Sequence, residues 1–355
     1  MRSILLAGGI GMLGTLLGTR FAIAFLVRRG YGQFIRDDGP TSHHTKRGTP
    51  TMGGIVIIFS VMFAYLVAHL VVWTPPTASG LLVLGLFASL GMVGLADDWI
   101  KISRARSLGL NSTAKLVLQT VVAIVFAVLS FQFPDERGLT PASSAISFLR
   151  DLPWAQLPVW LGVLWIILLV ASWSNAANLT DGLDGLATGA AAMVFAAYAV
   201  VNIWQFNQSC AWGDAGPQCY EVRDPRDLAV VSMALAGACF GFLWWNASPA
   251  KIFMGDTGSL SIGGAFAALS VTTRTELLMA LVAGLFVIIT LSVVLQVGYF
   301  KLTKGKRLFK MAPLQHHFEL LGWAEVTIVI RFWIICGLCV ALGLGAFYAE
   351  WIVGQ

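Results

Sequence analysis

Five carboxylates lie where apolar stretches of this chain meet polar ones: Asp97 and Asp98 in GLADDWIK, Asp181 and Asp184 in NAANLTDGLDG, and Asp256 in FMGDTGS. Neighbouring residues on a helix diverge by roughly 100°, so Asp97 and Asp98 cannot serve one ion in the same manner. Asp181 and Asp184, three apart, share a helix face, and Asn175 and Asn178 extend that polar strip upstream. Asp256 stands at a predicted helix start, a place that favours anions and often holds phosphate. A single such carboxylate is as readily a helix cap or an interfacial residue. Five of them on one face of a membrane would repel strongly unless a cation neutralised them. All-oxygen ligation without cysteine favours Mg2+ or Mn2+ over zinc. A divalent ion beside Lys46, Lys101, Lys115 and Lys251 is what phosphoryl chemistry on an anionic substrate needs. His316, His317 and Glu319 add two imidazoles and a carboxylate, without the i, i+4 spacing of a helical zinc site. Phosphate contact, acid–base work and loop organisation are all open to them.

The elements that must position these groups follow from composition. Of 355 residues, 57% are hydrophobic and 12% charged, about half the charged fraction of a soluble domain; mean hydropathy is +0.78. Apolar runs long enough to cross about 30 Å of hydrocarbon recur throughout. The sequence therefore predicts an all-α polytopic membrane protein of about ten spans: 3–27, 53–73, 79–96, 113–131, 158–176, 185–205, 227–246, 257–272, 276–300 and 326–349. The first is expected to be a retained span, since it lacks a basic leader and a cleavage site. An even count puts both termini on one side. Loops on one side of this plan hold fifteen Lys and Arg against six on the other, which makes the richer side cytoplasmic and both termini external. The net charge of +5 is thus a topology signal and no argument for nucleic acid. Five cytoplasmic loops, about 28–52, 97–112, 175–184, 247–256 and 301–325, carry most of the candidate residues within a single catalytic domain spanning 1–355, with Lys115 and Asn246 just beyond two of them.

The external loops look ordinary. Asp135, Glu136, Asp151, Asp214, Glu221, Asp224 and Asp227 show no site-like spacing and read as solvated, while His69 reads as structural or interfacial. Cys239, Cys336 and Cys339 fall in spans as small buried hydrophobes. Cys210 and Cys219 share an external loop and could pair if that face is oxidising.

GTPTMGG (48–54), ADDWIK (96–101), NAANLTDGLDGLATG (175–189), FMGDTGS (253–259) and QHHFELLGW (315–323) together resemble the bacterial phospho-N-acetylmuramoyl-pentapeptide transferase family, from the first span to the last. The resemblance implies transfer of phospho-MurNAc-pentapeptide from UDP-MurNAc-pentapeptide to undecaprenyl phosphate, giving lipid I and UMP with Mg2+, in peptidoglycan synthesis at the inner membrane. A homodimer is compatible with it. By the same resemblance Asp256 is the metal ligand, Asp97 and Asp98 the essential pair, and Asp97 the group that deprotonates or orients the lipid phosphate. Lys101 and Lys115 would meet phosphates, and Asn175, Asn178, Asp181 and Asp184 would line the nucleotide and pyrophosphate side. Asn246 and Phe253 would lie near the uracil, Lys46 and Thr51 near the nucleotide-sugar, and His316 and His317 against substrate. The family's last motif often has three histidines; here Gln315 stands first, and glutamine cannot titrate.

Rival readings make distinct predictions. A related polyprenyl-phosphate N-acetylhexosamine-1-phosphate transferase would share the aspartates but not GTPTMGG and HHFELLGW. A cation-coupled transporter would carry its polar residues near mid-membrane and show an internal repeat. A binding scaffold would leave the one-sided carboxylates unexplained.

Overall fold

A computed structural model describes residues 1–32, 48–104, 109–212 and 219–353. The described helices are α1 (Arg2–Arg28), α2 (Gly54–Val72), α3 (Ala78–Ser103), α4 (Ser112–Ser130), α5 (Val159–Thr180), α6 (Leu186–Asn207), α7 (Pro225–Asn246), α8 (Gly255–Thr272), α9 (Glu276–Val282), α10 (Gly284–Leu302), α11 (Leu314–Glu319) and α12 (Glu325–Val353). Between α4 and α5, β1 (Ala145–Ser147) and β2 (Asp151–Gln156) pair antiparallel, with Ala145 opposite Gln156 and Ser147 opposite Asp151. Within lipid a backbone must satisfy its own hydrogen bonds, so long apolar runs become helices.

Nine described helices, α1 to α7, α10 and α12, are long and apolar enough to cross a membrane. The span expected at 257–272 is not among them, although it is a helix. Every residue of α8 from Thr257 to Thr272 is buried, so its Ser, Thr and Gly side chains meet protein instead of lipid. Small residues let backbones approach closely between packed helices. A Cβ at Gly54 would lie 2.1 Å from the Gly258 nitrogen of α8, and one at Gly94 the same distance from the Asp256 carbonyl oxygen. The expected span at 276–300 is also corrected: it breaks at Ala283 into α9 and α10.

The end of the bundle away from the carboxylates is more built than its sequence suggested. Asp227, expected to be solvated, is buried and accepts hydrogen bonds from Tyr65 Oη (2.8 Å) and from Thr77 Oγ1 (2.6 Å) and N (3.1 Å). His69 Nε2 lies 2.7 Å from its other oxygen, which gives His69 the structural role expected of it. Asp224 accepts from Ser79 Oγ at 2.5 Å, and Asp151 pairs with Arg274 at 3.1 Å. Glu136 and Glu221 are exposed as expected; Asp214 lies outside the described residues. The N–H and hydroxyl of Ser147 both donate to the buried Glu276, tying the hairpin to α9. Cys210 and Cys219 are joined in a disulfide, while Cys239 and Cys336 are free and buried.

Candidate active site

Asp97 and Asp98 sit inside α3, about two turns before its end, and each is only 2% exposed. Their adjacency sends them in different directions. Asp98 points at the start of α8, where the first N–H groups of a helix have no internal partner. Its Oδ1 accepts from the Asp256 N–H (3.2 Å), and its Oδ2 from the Thr257 N–H (3.0 Å) and hydroxyl (2.8 Å). α8 is thus capped by a carboxylate from another helix, aligned with its dipole. Gly255, at φ +72°, makes the approach possible: a Cβ there would sit 2.5 Å from Asp98 Oδ2. Asp97 turns the other way. Its Oδ1 accepts from the Leu110 N–H at 2.8 Å, and its Oδ2 lies 2.6 Å from Lys101 Nζ.

Asp256 is where the site converges. Its Oδ2 receives Lys101 Nζ at 3.0 Å and Lys115 Nζ at 2.6 Å, and its Oδ1 receives Asn178 Nδ2 at 2.8 Å. Asn178 donates equally to Ser259 Oγ (2.9 Å), locking α5 to α8. One oxygen each from Asp97, Asp98 and Asp256 fall within 4.8 Å of one another. Two ammonium groups on a single carboxylate oxygen mark a spot that gathers positive charge, and the donors around it are all hard oxygens. That arrangement fits Mg2+ or Mn2+. Asp181 follows the end of α5; loss of water, with repulsion from Asp256, Asp98 and Asp184, pushes its carboxyl up to about 8.

Other expected residues are held in place for different reasons. Asp184 accepts from the Ala250 N–H at 3.0 Å while its own N–H donates to Glu325 Oε1 at 2.9 Å. Asn246 is buried, taking Thr188 Oγ1 at 2.8 Å and donating to the Ile252 carbonyl at 3.0 Å, so it shapes the turn before Phe253. Asn175 folds back onto the Ala171 carbonyl and stays exposed. The GTPTMGG loop is zipped beside the site: the Phe253 N–H donates to the Pro50 carbonyl (2.8 Å), and the Gly53 N–H to the Phe253 carbonyl (2.9 Å). Thr51 is buried there, close to Gly255. Phe253 is half-buried. Lys46 lies outside the described residues. His316 Nδ1 is 2.6 Å from Glu319 Oε2, and His317 Nδ1 accepts from the Lys310 N–H at 3.1 Å, between the Phe309 and Phe318 rings.

Sequence reasoning did not single out Thr257, Ser259 or Glu325. Thr257 and Ser259 flank Gly258 in the FMGDTGS motif and were legible as polar residues at a helix start. Glu325 meets Asp184 only through tertiary packing, which no local spacing reveals.

A polytopic helical membrane protein with carboxylates, lysines and an amide gathered on one helix start has the makings of a phosphoryl-transfer site. Residues 80–274 match the profile of glycosyl transferase family 4, which defines the class. Within it, residues 46–58 match signature 1 of the phospho-N-acetylmuramoyl-pentapeptide-transferases. The chain is 66% identical to the phospho-N-acetylmuramoyl-pentapeptide-transferase of Cutibacterium acnes over the whole of both chains. It is 62% identical to that of Kineococcus radiotolerans over the whole of both, and 60% to that of Streptomyces avermitilis over 99% of each. The chain belongs to the phospho-N-acetylmuramoyl-pentapeptide-transferase family.

Proposed function

We propose that the chain transfers phospho-MurNAc-pentapeptide from UDP-MurNAc-pentapeptide to undecaprenyl phosphate, forming lipid I and UMP for peptidoglycan synthesis. The observation that carries this reading is the convergence of Lys101, Lys115 and Asn178 on Asp256, with Asp97 beside them. The work is done at the cytoplasmic face of a bacterial inner membrane. Two facts support that orientation: the fifteen-to-six distribution of Lys and Arg, and the disulfide, which lies past the end of α6 opposite to Asp184. The five loops act as parts of one catalytic unit.

An oxygen of the lipid phosphate attacks the phosphorus that bears the sugar. The bond from that phosphorus to the bridging oxygen breaks, and UMP leaves with the oxygen and the electron pair. A phosphate monoester loses its second proton near pH 6, so the attacking group needs orientation more than activation. Asp97 provides it and accepts any remaining proton. Lys101 and Lys115 counter the charge of the phosphates. Asp98 acts by holding the start of α8, and with it Asp256, in place. Asp256 would hold Mg2+, which neutralises the pyrophosphate and the departing UMP when bound. Phe253, Thr51 and Lys46 serve the nucleotide-sugar, with Asn246 shaping the uracil side. Asn175, Asp181, Asp184, His316 and His317 border the pyrophosphate and sugar. Attack is direct; trapping a phosphorylated Asp97 or Asp98 peptide would overturn that.

Mg2+-dependent UMP release from the two substrates tests the reading. Asp97→Asn, Asp98→Asn and Asp256→Asn should each lose about 10²-fold or more in kcat, the scale of removing a preorganised electrostatic group. Full activity in all three would sink the site assignment. Turnover of UDP-GlcNAc with none of UDP-MurNAc-pentapeptide would refute the choice of substrate.

A further inference from the structure

Gln315 opens the Gln-His-His run, one residue before the imidazoles. Its side chain is fully buried, which is uncommon for glutamine. Nε2 donates to the Leu179 carbonyl at 2.9 Å. Leu179 lies in the last turn of α5, where carbonyls lack a donor from their own helix. Oε1 has no partner. The amide therefore uses only its donor half, which is what an imidazole N–H would also supply.

The bond matters because of what it carries. α11 has six residues, too few to be stable alone. One anchor is the Leu314 N–H, which donates to Ser292 Oγ of α10 at 3.0 Å; the Gln315 amide is an anchor toward α5. Gly182 leaves the room for it. A Cβ there would meet Gln315 Nε2 at 2.9 Å and His316 Nε2 at 3.1 Å, so both side chains lie directly against the turn that holds Asp181 and Asp184.

We propose that Gln315 is a positioning residue, whose buried amide donor pins α11 to the end of α5 and so sets His316 against the Asp181–Asp184 turn where the UDP-sugar is handled. The position requires a hydrogen-bond donor and not an ionisable group. This rests on the transferase reading above and names how one of its loops is held.

The test uses the full-length protein in mixed micelles, with Gln315→His, Gln315→Met and Gln315→Asn. Thermal melting is followed alongside kcat, both KM values and the pH profile of kcat/KM. Gln315→Met keeps the length and loses the donor; its KM for UDP-MurNAc-pentapeptide should rise about tenfold, the scale of one hydrogen bond. KM for undecaprenyl phosphate should stay unchanged. Gln315→His should restore the donor KM, with a pH profile that superimposes on that of the wild type. Should Gln315→Met fail to fold, Gln315→Asn, whose shorter amide cannot reach the carbonyl, takes its place with the same expected rise. Wild-type KM in the donorless variants overturns the proposal, and so does a new ionisation in the Gln315→His profile. No UMP release by the wild type would instead count against the transferase reading itself.

Discussion

Lys115 places its ammonium 2.6 Å from the oxygen of Asp256 that Lys101 also reaches. A metal ion arriving at that carboxylate competes with both. Lys115→Met should therefore bind Mn2+ more tightly, by roughly threefold to tenfold for one charge removed at partly screened range, while kcat falls about 10²-fold because the phosphates lose a counter-charge. Electron paramagnetic resonance of added Mn2+ reads the first effect, and weaker binding would reject the competition. The convergence itself was legible, because charge is costly beside an apolar span, Lys101 closes the ADDWIK motif and Lys115 opens the span that follows it. The division of labour between Asp97 and Asp98 was not. Adjacency says that two side chains diverge, but the N–H groups awaiting Asp98 belong to a helix 158 residues later. Asn246 and Asp184 show the same limit: a small polar residue beside a helix end has one local signature whether it shapes a turn or meets a ligand.

Gly94 of α3 and the first turn of α8 touch through backbone atoms, so helix placement and site geometry are one problem. Gly94→Ala would drive a methyl against the Asp256 carbonyl and should cost about 1–3 kcal/mol of stability as overpacking, with activity falling alongside. Gly85→Ala is the control on the same helix, since a Cβ there meets nothing within 4 Å; it should gain about 0.5–1 kcal/mol from helix propensity. Equal melting temperatures for the two variants would reject the contact. Nine of the described helices announced themselves by hydropathy, because each is long and apolar enough to cross a membrane. α8 coincides with the span expected at 257–272, and hydropathy alone would have discarded it. Its Ser, Thr and Gly lower the average without harm, as protein surrounds it. The break at Ala283 went unseen because the residues on both sides are apolar.

At the scale of the molecule, α6 covers about 33 Å at 1.5 Å per residue, separating Asp184 at one end from the Cys210–Cys219 disulfide at the other. Cys210→Ser should lower stability by about 2–3 kcal/mol, as expected for opening a short loop, and leave kcat unchanged. In intact cells a membrane-impermeant maleimide should label Cys219 of that variant; labelling only after lysis would reverse the orientation. That the pair shares one loop was legible, but the bond was not, because spacing alone does not say which face is oxidising. The enclosure of α8 also has a consequence for the membrane. Bilayers of different thickness tilt or strain helices that present apolar surface to acyl chains. α1, α4, α10 and α12 present such surface, and Thr257–Thr272 of α8 present none. The depth of Asp256 is then set by neighbouring helices rather than by the lipid. Vesicles whose acyl chains differ by about six carbons should alter turnover by less than about twofold, so the same protein can serve membranes whose lipid composition changes with growth conditions.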